Sequence, residues 1–176
     1  MYRIVPAIES LEQHLRILIS NPERYRPERC PYCGLGTLWC HGYYERKADR
    51  GSGVLNPIAV PRFLCAGCKH TCSRLPSCIA PLRWYDWAMQ QAVLLSVLLG
   101  QSPHVCAKAF GVGRRTVTRW WRWLEERTEE FEFHLRSRFI EWGRAVGWRA
   151  FWQLAFSQQP LRELMAWLDQ QGLTVP

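Results

Sequence analysis

The chain has 176 residues, with 23 Lys and Arg against 15 Asp and Glu for a net charge of +8, and it carries 8 Cys and 10 Trp. That length holds one domain, or two small ones closely joined, and excludes a large multidomain enzyme. An apolar fraction of 48% with 13% aromatics excludes a disordered tail, and no apolar run reaches the roughly 18 residues that span a bilayer.

The first element expected is an amphipathic helix over residues 7–20, where Ile8, Leu11, Leu15, Leu18 and Ile19 recur near helical spacing until Asn21-Pro22 stops the pattern. Glu9, Glu12, His14 and Arg16 interrupt the stretch that a secretory signal would need to be apolar. The expected location is therefore the cytoplasm, where cysteines seldom remain paired as disulfides.

Residues 30–80 change character. Short Gly- and Pro-punctuated runs, Thr37 to Trp39 and Ile58 to Leu64, suit brief strands, with a flexible turn at Asp49 to Gly53. Two C-x2-C units, Cys30-Pro-Tyr-Cys33 and Cys65-Ala-Gly-Cys68, stand 31 residues apart. Each can form a knuckle whose backbone N–H groups point at sulfur, and two knuckles at hairpin ends complete a tetrahedral four-sulfur site for one structural Zn²⁺. Gly34 and Gly67 are expected to supply the backbone freedom of these turns. Arg62, Lys69 and Arg74 are expected to offset part of the negative charge that four thiolates leave around a dication. Cys40, Cys72, Cys78 and Cys106 are expected as buried apolar thiols outside the ligand set, and His41 as a hydrogen-bonded hairpin residue.

Helical periodicity returns after Trp84. A helix over Asp86 to Leu99 supplies Leu94, Leu95, Leu98 and Leu99 to the core, and breaks fall at Gly100 to Pro103 and at Gly111 to Gly113. Ala107, Gly111 and Val117 stand where a helix-turn-helix needs a small contact residue, a turn glycine and an apolar anchor. Val105, Phe110, Val112 and Trp120 fill its remaining inward positions. The second helix, from about Arg114, then displays Arg114, Arg115, Thr116, Thr118, Arg119 and Arg122 outward as groove and phosphate donors. Charge is concentrated to match, with +5 in residues 30–85 and +4 in 101–128, a distribution that suits a polyanion such as double-stranded DNA. Residues 129–176 hold Trp142, Trp148, Trp152 and Trp167 among Phe131, Phe133, Phe139, Phe151 and Phe156, and either cover this core or form a self-association or partner surface.

The expected fold is thus α+β and mostly α. An N-terminal amphipathic helix and a linker occupy 1–29, a small β zinc ribbon 30–80, a helix-turn-helix 84–128 and an aromatic-rich helical tail 129–176. Over residues 28–125 the sequence resembles the N-terminal DNA-binding region of bacterial insertion-sequence transposases, which join a zinc ribbon to a helix-turn-helix. The resemblance rests on Cys30-Pro-Tyr-Cys33-Gly34, His41-Gly42-Tyr43-Tyr44-Glu45-Arg46, Val60-Pro61-Arg62-Phe63-Leu64-Cys65-Ala-Gly-Cys68, Thr71-Cys72-Ser73-Arg74-Leu75-Pro76 and the helix-turn-helix. It implies binding to transposon-end DNA, with a location at the nucleoid and a transposition protein or a second copy as further partners.

Only 51 residues follow position 125, too few for the three-carboxylate catalytic core of such transposases, and Glu126, Glu129 and Glu130 read as a solvated helix face. A non-catalytic, sequence-specific DNA-binding protein is therefore expected. Two other readings stand beside it: a ribbon that binds protein or RNA, and a thiol-disulfide oxidoreductase, since C-P-Y-C is also the glutaredoxin motif. The redox reading requires Cys30 at a helix N-terminus, whereas Gly34-Leu-Gly36 follows the motif and disfavours a helix.

Overall fold

The computed structural model describes residues 3–48, 56–81 and 85–175, and the turn expected at Asp49 to Gly53 lies outside them. A short strand β1 (Ile4–Val5) precedes helix α1 (Leu11–Ser20). The helix starts later than its periodicity suggests because Ser10 caps it, its Oγ accepting from the Gln13 N–H at 3.1 Å. The buried face also differs from the apolar stripe. His14 and Ile17 point inward, Ile8 is fully buried in the preceding turn, and Ile19 is 88% exposed rather than part of the apolar stripe.

His14 is held from both sides. Its Nε2 lies 3.0 Å from the Ala59 carbonyl and its Nδ1 lies 2.5 Å from the Tyr25 hydroxyl. A carbonyl can only accept, so Nε2 carries the proton and Tyr25 donates to Nδ1. Burial lowers the His14 pKa below its ordinary value, against an opposing contribution from the Ala59 carbonyl.

Strands β2 (Leu38–Arg46), β3 (Ile58–Cys65) and β4 (Thr71–Cys72) form an antiparallel sheet in the order β2-β3-β4. β2 continues well beyond the expected Trp39, through a bulge between Cys40 and Tyr43 where Gly42 adopts φ +81°. The bulge lies on an edge strand, and Cys40 at its start is exposed instead of buried. Cys72 is buried with Ile17, Tyr25 and Phe63, Cys106 is fully buried, and Cys78 is half-buried.

The remaining chain is helical: α2 (Trp87–Leu98), α3 (Pro103–Phe110), α4 (Arg114–Arg138), α5 (Trp148–Gln158) and α6 (Leu161–Gln170), with a 3-10 turn over Ile140–Arg144. Asp86 caps α2, accepting from the Met89 N–H at 2.7 Å, and Ser102 caps α3 ahead of Pro103. Helix α3 ends at Gly111, whose φ of +63° is the left-handed conformation that suits glycine at a helix C-terminus. Inside α3 it is Cys106 that turns inward, so Val105, expected in the core, is 48% exposed. Helix α4 runs without interruption through residue 128 and buries Val117, Trp120, Leu124, Phe131 and Leu135 along one side.

The aromatic tail covers this same core. Trp142, Phe151 and Trp152 are fully buried in one cluster with residues of α2, α3 and α4. The Trp152 Nε1–H donates to Thr128 Oγ1 at 3.1 Å, and that hydroxyl donates to the Leu124 carbonyl at 2.6 Å, which matches these two buried side chains, whereas the buried Trp120 Nε1–H has no hydrogen-bond partner among the described residues. Phe133 remains 75% exposed.

Sheet and helices are joined by a second small pairing. Strand β5 (Leu75–Pro76) lies parallel to β1, while the Arg3 and Ile4 N–H groups donate to the fully buried carboxylate of Asp169 at 2.7 and 2.9 Å. The Arg74 guanidinium donates to the Ile4 carbonyl at 3.2 Å. Burial raises the Asp169 pKa, and the Arg3 and Ile4 N–H groups act in the opposite direction.

Candidate metal centre and basic helix face

The two knuckles are built alike. In the first, the Gly34 N–H donates to the Cys30 carbonyl at 2.9 Å. In the second, the Lys69 N–H donates to the Cys65 carbonyl at 3.1 Å. Each closing residue has positive φ, +75° at Gly34 and +62° at Lys69. The conformational demand in the second knuckle thus falls on Lys69, a residue type that seldom adopts it. Gly67 has no positive φ, and a Cβ there would meet only the movable end of the half-exposed Leu35 side chain, so the expected need for glycine does not fall on it. The knuckles are tied together by the Ala66 N–H, which donates to the Thr37 carbonyl at 2.9 Å.

This backbone brings Cys30, Cys33, Cys65 and Cys68 together with all four sulfurs within 4.8 Å of one another. Cys30 and Cys68 stand 3.6 Å apart, as do Cys33 and Cys65. A disulfide requires about 2.05 Å. A tetrahedral zinc with bonds of about 2.3 Å requires sulfur separations of about 3.8 Å. The set therefore fits one Zn²⁺ and no S–S bond. No other group of three or more metal-binding side chains clusters among the described residues.

The thiols themselves call for a cation. The Cys68 backbone N–H lowers the Cys65 pKa to about 6, which favours a thiolate there. At Cys68 the His70 backbone N–H acts in the same sense, but burial and the crowding of Cys30, Cys33 and Cys65 outweigh it and push the thiol up to about 12. Four sulfurs cannot all ionise at this spacing unless a positive ion lies between them. Cys72 lies beside the cluster without belonging to it, and burial pushes its thiol up to about 11. Nor do the expected counter-charges all serve the cluster. Arg74 is committed to Ile4, and Arg62 lies over the Tyr44 ring at 5.2 Å. Residues 31–33 form a turn rather than the start of a helix, so Cys30 lacks the helix dipole that activates a glutaredoxin thiol.

The other cluster of sequence-predicted residues lies at the start of α4. Arg114, Arg115, Arg119 and Arg122 are exposed, while Thr116 and Thr118 are half-buried. Together with Trp123 and Glu126, all but Thr116 line one shallow groove that begins at Gly113. Val117, Trp120 and Leu124 on the opposite side anchor this turn of helix in the core. The Thr118 hydroxyl donates to the Arg114 carbonyl at 3.1 Å, which engages it within the helix. The four guanidinium groups make no ion pair, hydrogen bond or ring contact with described residues, whereas Arg127 and Arg136 further along α4 pair with Glu130 and Glu132. The positive φ of Lys69, a residue expected only as a counter-charge, and the place of Trp123 in the groove were not foreseen, because neither leaves a mark in composition.

No helix among the described residues is long and apolar enough to cross a membrane. No curated protein and no solved structure matches the chain. A family model does match, over residues 30–120, which reach from the first cluster cysteine to Trp120 in the second turn of α4. The chain belongs to that family, which is described as a domain of unknown function, DUF6431.

Proposed function

We propose that this is a zinc-containing protein that binds double-stranded DNA sequence-specifically, with α3 and α4 as its helix-turn-helix, and that it acts in transposition. The observation that carries the reading is the set of four exposed, unpartnered arginines at the N-terminal end of a long, well-anchored helix. A buried or internally paired arginine is explained by the fold; these four are not. Arginine at this end of a second helix can address guanine edges bidentately and hold phosphates. The zinc site gives the ribbon a fixed shape, and the helices after residue 125 complete the core that holds α4 in place. Resemblance to the N-terminal region of insertion-sequence transposases supports the transposition context.

The test is fluorescence anisotropy of a labelled duplex titrated with zinc-loaded protein across a salt series. Log affinity is expected to fall linearly with log salt, with a slope set by the phosphate contacts. R115A/R119A is expected to weaken binding by at least about tenfold, since each bidentate base contact is worth roughly 1–3 kcal/mol. Unchanged affinity in that variant refutes the assignment of the recognition helix. A ribbon that binds protein or RNA is favoured by one observation, the 63% exposed Trp39 and 49% exposed Tyr43 on β2. That reading predicts loss of partner binding in W39A and none in R115A/R119A.

A further inference from the structure

The exposed side of α4 changes sign along its length. At about 100° per residue, Arg115, Arg119, Arg122, Glu126 and Glu129 fall within roughly 40° of a single line along the helix, opposite the buried Val117, Leu124, Phe131 and Leu135. All five are exposed. The three arginines cover about 10 Å of helix axis, and the first acid follows about 6 Å further on. Three carboxylates of α4, Glu125, Glu126 and Glu129, have no ion-pair partner among the described residues, and the last two lie on this line. Glu130 pairs with Arg127 at 2.6 Å and Glu132 with Arg136 at 2.8 Å. Arg122 precedes Glu126 by four positions, the weaker order for an i,i+4 pair, and the two remain apart.

We infer that Glu126 and Glu129 are specificity-determining residues: they repel the DNA backbone and confine the duplex to the first three turns of α4. The inference rests on the DNA-binding reading above. A helix of 25 residues is about 37 Å long, roughly three times the width of the major groove. If its exposed line were basic throughout, it could lie along the phosphates of any duplex, and sequence-independent attraction would dominate. A carboxylate near a phosphate costs free energy of the same order as an arginine there gains. With arginines at the tip and acids behind them, only an end-on approach satisfies both halves, and that approach brings side chains to the base edges. Glu126, in the same groove as the arginines, marks the boundary.

The experiment compares wild type, E126Q/E129Q and E12Q/E141Q, the last removing the same charge from exposed sites away from this line. Zinc-loaded full chains are titrated with a random-sequence duplex, and with a duplex selected by the wild type from a random pool. E126Q/E129Q is expected to bind the random duplex on the order of tenfold more tightly at ~50 mM salt, with a steeper salt dependence and a smaller ratio between selected and random sites. The E12Q/E141Q control is expected to change little. If wild type binds DNA but E126Q/E129Q matches it, or only matches the control, the two glutamates have no such role while the DNA-binding reading stands. If neither wild type nor E126Q/E129Q binds duplex, both ideas fall. Gln keeps the helix propensity of Glu, and unchanged circular dichroism verifies that the fold is retained.

Discussion

The sheet and the helical body lie in one chain yet are stabilised by different means. The body buries Trp120, Phe131, Trp142, Phe151 and Trp152 in one continuous core spanning α2 to α6. The sheet has two small clusters, one around Phe63, Tyr25 and Ile17 and one around Ile58, Val60 and Ile79, and its far end is held by sulfur. A segment with so little apolar surface to bury would draw folding free energy from an ion held by Cys30, Cys33, Cys65 and Cys68, whereas the body relies on packing. The difference assigns the metal a local, structural task and leaves the presentation of α4 to aromatic packing.

The sharpest way to break this division is to remove the metal. Chelation, or C65S, is expected to abolish the ribbon fold, a loss on the order of 10 kcal/mol of binding-linked folding energy. Most helical circular dichroism should persist while backbone NMR signals of residues 30–75 collapse to random-coil positions. Metal analysis of the intact protein should return about one zinc per chain; collapse of helix and ribbon together would show that the two depend on one another.

The converse variant is W152A, which empties a fully buried site in the body. It is expected to cost about 3–5 kcal/mol, lowering the thermal midpoint of the helices while zinc stoichiometry stays the same. A smaller effect belongs to His14, beneath the sheet. Its pKa in the folded state is lowered from 6.5 by burial, so the unfolded chain takes up a proton more readily. Stability from this residue is complete above the unfolded value and declines as pH falls through 6.5 toward the folded pKa. H14Q should flatten the pH dependence of sheet unfolding below about pH 6.5. Comparison with wild type separates this slope from the protonation of the zinc-binding thiols.

How much was legible in the sequence depended on whether the determining interaction was local. Cys30, Cys33, Cys65 and Cys68 were legible because a knuckle is a short backbone object with fixed spacing. The starts of α2 and α4 were legible from Asp86 and from the Gly111 to Gly113 break. His14 and Asp169 were not, because a histidine or aspartate in an amphipathic helix looks solvated until distant groups, Tyr25 and Ala59 or Arg3 and Ile4, supply its hydrogen bonds. Cys40 and Ile19 were misread for a related reason. A bulge redirects a side chain without a compositional signature, and the inward side of α1 is set by what His14 and Ile17 meet rather than by the apolar stripe. The outward arginines of α4 were legible because helical periodicity fixes opposite sides once Val117 and Leu124 are recognised as core.

The clasp between Asp169 and the strand at Ile4 spans 165 positions of sequence. Bringing such remote segments together carries an entropic cost of about 4–5 kcal/mol before any bond is gained. That cost is offset by the N–H bonds to Asp169 and by the pairing of Ile4 with Leu75 of β5, in a sheet separate from the one that carries Cys65. Because Arg74 meets the same strand only a few residues beyond Cys68 and Cys72, a chain with an empty sulfur cluster would also lose its latch, and proteases would find the loosened leading segment first.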